Sequence, residues 1–290
     1  MAYRGPSLND TKMDPVAKAL WFVESHSREL VSLEDIANAC HVSPFHITRA
    51  FAASTGLSLM RYVRTRRLSE AARKLAEGAQ DILQVALDAG YGSHEAFTRA
   101  FRDHFALTPE QVRAQGHLEN LTLKSAVTMN PAPRTDIPQP RFETSAPTLL
   151  AGLLQRYHCE SPAGIPDQWQ RFTPYLSTLR SKKPGVAYGA CYNFDQEGHF
   201  DYLTSVEVES KVGLPPELST LPVPAQQYAI FHHPGHVASI RATFSAIWEG
   251  WFPNSKFQPD EGITLERYGP EFNAMTGLGG VELWIPVKPA

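Results

Sequence analysis

Apolar residues between positions 14 and 116 recur every three or four residues, which predicts a series of helices joined by short turns. Serines suited to cap a helix precede three of these segments, at Ser32, Ser43 and Ser93. Pro44 then takes the first position of its helix, where a missing N–H has no cost. The first half of the chain is therefore predicted to be helical throughout.

A repeat relates the two parts of this helical half. The tetrapeptide TRAF at positions 48–51 recurs at positions 98–101, and Ser43 and Ser93 keep the same spacing. In each copy a short helix, a tight turn and a second helix follow one another, which is the order of a helix-turn-helix unit. Residues 58–78 between the copies are predicted to form one connecting helix, with Ser58 as its cap and Gly78 as its stop.

The second helix of each unit, called here the recognition helix, has one apolar face and one face suited to DNA. Arginine can bond bidentately to guanine, glutamate can accept from cytosine, and threonine can serve either base. The outward residues are Phe45, Thr48 and Arg49 in the first unit and Glu95, Thr98, Arg99 and Arg102 in the second. This pattern predicts a protein that binds double-stranded DNA, with a plain helical bundle as the alternative.

Charge supports nucleic-acid binding only locally. The formal net charge is −3, but the segment from Arg49 to Lys74 holds a cluster of basic residues against the single acid Glu70. Such a basic face on a neutral domain can contact phosphate. Four arginines of the connecting helix are candidates either for phosphate contact or for solvated surface: Arg61, Arg64, Arg66 and Arg67.

Proline separates the two halves. Four prolines between Pro131 and Pro140 predict an extended linker, since proline disfavours both helix interiors and central strands. We therefore assign residues 1–120 to the helical domain, 121–140 to the linker and 141–290 to a second domain. Strand-like segments such as VAYGACYNF and VELWIPV surround two predicted helices there. The order strand–helix–strand–strand occurs twice, which predicts an α+β fold with a pseudo-twofold repeat.

Two carboxylates on predicted strands are candidates for binding a small molecule. Alternation places Glu266 on the face of Thr264 and Tyr268, and places Glu282 on the face of Trp284. A carboxylate beside aromatic rings suits a lipophilic cation. The predicted ligand-binding residues are Glu266, Glu282, Trp248, Trp251, Tyr188, Tyr192 and Trp284. The alternatives are solvated carboxylates and ordinary core aromatics.

Both halves resemble known families. The segments SLEDIA, SPFHITRAF, RTRRLSEAARKL and VALDAGYGSHEAFTRAFRDHFALTPEQVR resemble the DNA-binding module of the AraC/XylS regulators. That resemblance implies seven helices with two recognition helices, and base contacts at Phe45, Thr48, Arg49, His94, Glu95 and Arg99. The segments YAIFHHPGHVASIRATFSAIWEGWFPNS, ITLERYG and VELWIPVK resemble GyrI-like effector-binding domains of multidrug-sensing regulators. In that family the ligand lies between two halves near an acidic residue.

These observations predict a cytoplasmic one-component transcription regulator. Its expected partners are promoter DNA, RNA polymerase and a small lipophilic or cationic effector; no membrane, cofactor or catalytic role is expected. His232, His233 and His236 lack the ligand spacing of a metal site. Two alternatives remain for the second half: a protein-interaction module without ligand, and a GyrI-like hydrolase in which Glu266 or Glu282 activates water.

Overall fold

A computed structural model describes residues 14–26, 30–125, 139–160, 162 and 164–290. Within these ranges the first half contains seven helices: α1 (Pro15–Ser25), α2 (Leu33–Cys40), α3 (Pro44–Thr55), α4 (Leu59–Ala76), α5 (Ile82–Asp88), α6 (His94–Phe105) and α7 (Pro109–Gln115). The two predicted helix-turn-helix units are confirmed, as α2–α3 and α5–α6. None of the described helices is long and apolar enough to cross a bilayer.

The helices begin where a side chain can satisfy free backbone N–H groups. Three predicted caps do so, each accepting from the amide three residues ahead: Ser32, Ser43 and Ser93. The Ser58 hydroxyl makes no capping bond and instead donates to the carbonyl of Gln196 in the second half, at 3.2 Å. The connecting helix α4 ends at Ala76, before the predicted stop at Gly78. Long-range contacts thus replace one of the predicted caps.

The second half is one antiparallel sheet with two helices. Its strands are β1 (Arg141–Ser145), β2 (Thr148–His158), β3 (Ala187–Tyr192), β4 (His199–Val208), β5 (Ser219–Val223), β6 (Gln226–His233), β7 (Phe257–Pro259), β8 (Thr264–Tyr268) and β9 (Val281–Pro289). Its helices are α8 (Ile165–Phe172) and α9 (Ile240–Ala246), and a wider helical turn, Ile247–Trp251, continues α9.

The order of the strands confirms the predicted pseudo-twofold repeat. It runs β1-β6-β9-β8-β3-β4-β2-β5, with β7 paired to β9. The unit β2–α8–β3–β4 is matched by β6–α9–β8–β9, and the β3–β8 pair joins the two at the centre. The junction of the repeats therefore lies where Gly189 of β3 is opposite Glu266 of β8.

The two faces of the sheet differ. Both α8 and α9 pack on one face, here called the helix face: Phe172 contacts residues of β2 and β4, and Trp248 belongs to the cluster that includes Leu283 of β9. Glu266 is on this face, since it is opposite Leu283 in the β8–β9 register. The other face, here called the open face, has its own apolar cluster, which includes Tyr228 and Trp284.

The two halves share a hydrophobic core. Residues of α1, α2 and α3 form one cluster with residues of β6, β9 and the turn after α9: Ile47 and Phe51 on one side, Phe231, Ile247, Trp248 and Leu283 on the other. The second helix-turn-helix unit has a separate core around Phe97 and Phe101. Among the described residues, therefore, the first unit shares a core with the sheet domain and the second does not. Most of the predicted linker, residues 126–138, lies outside the described residues.

Ion pairs line the edge of this shared core. Arg61 lies 2.9 Å from Glu160, and Arg64 binds Glu197 with two hydrogen bonds, of 2.6 and 3.0 Å. Arg66 is also paired, with Glu24 of α1 at 2.6 Å. Three of the four arginines considered for phosphate contact therefore have carboxylate partners in this arrangement. The fourth, Arg67, donates to the carbonyl of Val31 at 3.4 Å.

We predict that Gly152→Ala destabilises the sheet domain. A Cβ at this position of β2 would lie 1.8 Å from the carbonyl oxygen of Thr204, within the β2–β4 pairing. The backbone must shift to relieve this overlap, which we expect to lower the free energy of unfolding by about 1–3 kcal/mol. Urea unfolding monitored by circular dichroism measures the change.

Gly92→Ala is the control, because nothing lies within 4 Å of a Cβ built there. It should leave the urea midpoint nearly unchanged. Equal midpoints for Gly152→Ala and the wild type would show that the β2–β4 contact is looser than the structure indicates.

Candidate nucleic-acid interface and effector site

The recognition helix α6 presents its polar face to solvent. Its buried side consists of aromatic residues, Phe97, Phe101 and Phe105. Its exposed residues include Glu95, Arg99 and Arg102, and Thr98 and His94 are half-buried. The His94 ring is held 3.0 Å from Glu110 of α7. The second unit therefore offers an accessible polar surface at the predicted positions.

The recognition helix α3 is covered. Thr48 and Arg49, predicted to face outward, are only 7% and 6% exposed, and Phe45 is half-buried. The covering elements are α9 and the turn that follows it, and the Ser245 hydroxyl donates to the carbonyl of Ala53 at 2.8 Å. The residues of α3 that were predicted to face outward therefore contact protein rather than solvent. In this arrangement α3 cannot enter a major groove.

The Arg49 guanidinium is surrounded by aromatic rings. Its central carbon lies 4.6 Å from the ring centre of Phe194, 5.3 Å from that of Phe45 and 5.7 Å from that of Trp248. These distances are within the range of cation–π attraction. Burial lowers the pKa of Arg49 to about 10, so the group is still charged at neutral pH. We call Phe45, Phe194 and Trp248 the aromatic cage.

His46 adds no second charge beside the cage. Its ring centre lies 5.0 Å from that of Trp248, and the residue is buried. Burial, assisted by the positive charge of Arg49, lowers the pKa of His46 to about 4. Histidine is therefore neutral at neutral pH, and the cage holds the single charge of Arg49.

Glu266 lies in a buried aromatic cluster on the helix face. Its Oε2 accepts hydrogen bonds from the hydroxyls of Tyr202, at 2.7 Å, and Tyr268, at 2.9 Å. The indole N–H of Trp169 on α8 donates to the Tyr202 hydroxyl at 3.0 Å. Burial raises the pKa of Glu266, although the two tyrosine hydroxyls act in the opposite direction. We call these four residues the Glu266 cluster.

Glu282 has a different environment on the open face. Arg141 contacts its two oxygens at 2.5 and 3.2 Å, and Arg267 lies 3.3 Å away. The indole N–H of Trp284 donates to it at 3.0 Å. Burial raises the pKa of Glu282, but these partners outweigh it and the net shift is downward. Its charge is thus already balanced by two cations.

The predicted ligand-binding residues fall into separate places. Tyr188, Tyr192 and Trp284 belong to the open-face cluster, on the same side as Glu282. Trp248 lies in the interface with α3, and Trp251 packs against Phe231 at 5.1 Å. The structure therefore does not gather all of them around one carboxylate.

Sequence reasoning missed two members of the Glu266 cluster and one wall of the cage. Strand alternation already placed Tyr268 beside Glu266, but Tyr202 and Trp169 come close only through the pairing of β3 with β4 and β8 and through α8 packing. No sequence pattern marked Phe194, just after β3, as a candidate binding residue. Among the described residues no group of histidine, cysteine or acidic side chains has the arrangement of a metal site.

Comparison with known proteins identifies both halves. The family model of the GyrI-like small molecule binding domain matches residues 138–288, and that of a helix-turn-helix domain matches residues 36–115. The transcriptional regulator Rob of Salmonella typhimurium is 26% identical over 286 residues, which are 93% of this chain and 96% of Rob.

Two shorter relatives match the helical half. The probable transcription factor PqrA of Proteus vulgaris is 42% identical over 88 residues, which are 30% of this chain and 72% of PqrA. The multiple antibiotic resistance protein MarA of Salmonella typhimurium is 32% identical over 107 residues, which are 37% of this chain and 84% of MarA. The chain therefore belongs to the AraC-type transcription regulators, and it carries a C-terminal GyrI-like small molecule binding domain.

Proposed function

We propose that this regulator senses a small lipophilic cation and responds by releasing α3 for DNA binding. The observation that carries the proposal is the unequal exposure of the two recognition helices: α6 is open to solvent, whereas α3 is covered by α9. With α3 released, one chain could contact two major-groove segments about 34 Å apart. With α3 covered, only α6 is available.

The proposed DNA contacts follow the sequence prediction. In α6 they are made by Glu95, Arg99 and Arg102, with His94 and Thr98 at the edge of the exposed face. In α3 the contacts are made by Phe45, Thr48 and Arg49, which can reach DNA only when α3 is released. A ligand can change this balance only if it binds the released state more tightly than the covered one.

We assign the effector site to the Glu266 cluster rather than to Glu282. In the described part of the chain, the side-chain donors to Glu266 are tyrosine hydroxyls, so its negative charge can attract a cation, whereas two arginines already neutralise Glu282. Tyrosine and tryptophan rings beside Glu266 suit a lipophilic cation. Tyr188, Tyr192 and Trp284, on the open face, and Trp251 then have structural roles.

The remaining features of the proposal concern partners and chemistry. Promoter DNA and RNA polymerase are the expected macromolecular partners, in the cytoplasm. We propose no catalytic activity, since Rob, a relative that matches nearly the whole chain, is named as a transcriptional regulator. If no cation binds, the second half acts instead as a protein-interaction module without a ligand.

The first prediction from the proposed function concerns α6. Arg99→Ala should weaken binding to a duplex selected from random DNA by the wild-type chain, by roughly 10- to 100-fold, if Arg99 bonds to a base edge. It should also relax the preference at one base pair. Electrophoretic mobility shift at fixed salt concentration measures both effects.

Arg180→Ala is the matched control, since it removes an exposed arginine from the second half. It should leave DNA affinity unchanged. If Arg99→Ala weakens all sequences equally, Arg99 contacts phosphate and our assignment of base contact is wrong.

The second prediction concerns the covering of α3. The double variant Glu160→Arg, Glu197→Arg places like charges opposite Arg61 and Arg64, and their repulsion should oppose the apolar packing of the interface and shift the balance toward the released state. We expect its nuclease footprint on the selected duplex to extend from one major-groove segment to two. The wild type without effector should protect one.

Added positive charge alone could strengthen DNA binding, so the control carries the same change elsewhere. Glu209→Arg with Glu261→Arg alters two exposed glutamates of the second half, and neither forms an ion pair with a described residue of the helical half. Its footprint should match that of the wild type. A longer footprint in both double variants would contradict the proposed release of α3.

The third prediction concerns pH. Phenylguanidinium should bind the full chain more tightly as pH rises through the pKa of Glu266, which burial holds above the usual glutamate range. The protonated carboxyl at lower pH offers no charge to the cation. Glu266→Gln should lower the affinity by about tenfold and remove this pH dependence. Isothermal titration calorimetry across the pH range provides the measurement.

Glu282→Gln is the comparison, because its carboxylate is already paired with Arg141 and Arg267. We expect cation affinity close to that of the wild type. A loss confined to Glu282→Gln would move the effector site to the open face.

A further inference from the structure

We propose that Phe194 and Trp248 form an entry site for an organic cation, and that Arg49 of α3 occupies this site as an internal competitor. The inference rests on the proposed function and specifies how the effector acts. A delocalised cation such as an arylguanidinium or a quaternary ammonium is the class of ligand that fits. Such a ligand would replace the guanidinium of Arg49 against the same rings.

The contacts of Arg49 resemble those of a bound ligand more than those of a structural ion pair. Among the ion pairs of the described residues, none includes Arg49. Its recorded partners are the three rings of the cage, at 4.6–5.7 Å. A buried cation normally needs a carboxylate partner. Aromatic faces take that place here, which is how proteins bind quaternary ammonium and related cations.

The cage adjoins the Glu266 cluster. Cys191 of β3 is buried on the same face of the sheet, opposite Thr264 and beside Gly189, which is opposite Glu266. Burial raises the pKa of the Cys191 thiol. The negative charge of Glu266 raises it further, and the positive charge of Arg49 lowers it. Cys191 is thus within electrostatic reach of both charges. A cation entering at the cage would move toward the carboxylate.

Occupation of the cage by Arg49 and contact of Arg49 with DNA exclude each other. Arg49 is a predicted base contact, and its guanidinium cannot meet both guanine and Phe194. The neighbouring His46 packs on Trp248 from the same helix, so a ligand at this wall competes with the α3 contact as a whole. Cation and DNA should therefore each raise the affinity for the other.

The test is a titration of the full chain with phenylguanidinium chloride at constant ionic strength, followed by calorimetry. Arg49→Leu removes the internal cation and keeps an apolar side chain, so the affinity for the probe should rise roughly 10- to 30-fold. Phe194→Leu removes one ring and should weaken binding. Arg180→Leu, an exposed arginine of the second half, is the control and should match the wild type.

Hydrogen exchange supplies a second measurement. A purely structural role for Arg49 would not explain its expected result. The probe should speed exchange of the α3 amides, residues 45–55, and leave those of α6 unchanged. Arg49→Lys should give an intermediate affinity, because an ammonium lacks the planar stacking surface of guanidinium. It serves as the decisive variant if circular dichroism shows that Arg49→Leu is unfolded.

The outcomes separate the two proposals. Equal affinities for the wild type and Arg49→Leu, both reduced by Glu266→Gln, would overturn the internal competitor and keep the effector site. No binding of the probe to any variant would overturn both. Tighter binding by Arg49→Leu, lost again when Phe194→Leu is added, would establish the cage.

Discussion

The packing of α3 on α9 is the interaction on which the arrangement of the whole chain depends. It joins the core of the first helix-turn-helix unit to the core of the sheet domain, and Ile47, Phe51, Ile247 and Trp248 are each fully or almost fully buried there. Truncation of such residues typically costs about 2–5 kcal/mol each. The exposed ion pairs at the edge contribute far less individually. Apolar burial is therefore the main attraction between the two halves.

This arrangement places a functional residue inside a structural contact. Among the described residues no carboxylate pairs with buried Arg49, so the aromatic rings are the main compensation for the water it has lost. A contact of this kind is easily exchanged, because a free cation can make the same interactions without ordering a helix. In the proposed mechanism the ligand and a DNA contact therefore compete at the same place in the domain interface.

Most of the fold could be predicted from the sequence because its signals are local. Capping serines, the TRAF repeat and strand alternation located both helix-turn-helix units and placed Glu266 beside Tyr268. The covering of α3 by the second half could not be predicted. Periodicity shows that a helix has a second face but not which element packs on that face. Glu266 and Glu282 looked equivalent for a similar reason. Only the strand register brings Arg141 and Arg267 to one of them and tyrosine hydroxyls to the other.

The two copies of TRAF show how the covering of one recognition helix is encoded. Arg49 and Arg99 occupy equivalent positions, yet the first is buried and the second exposed. The residues before them differ: Phe45 in the first unit corresponds to Glu95 in the second. Phe45 completes the cage around Arg49, whereas a glutamate at that position would bring a charge that must lose part of its hydration in the covered interface. A phenylalanine that offers little to a base pair is well suited to an apolar protein surface, and this makes the first unit, rather than the second, the one that the sheet domain can cover.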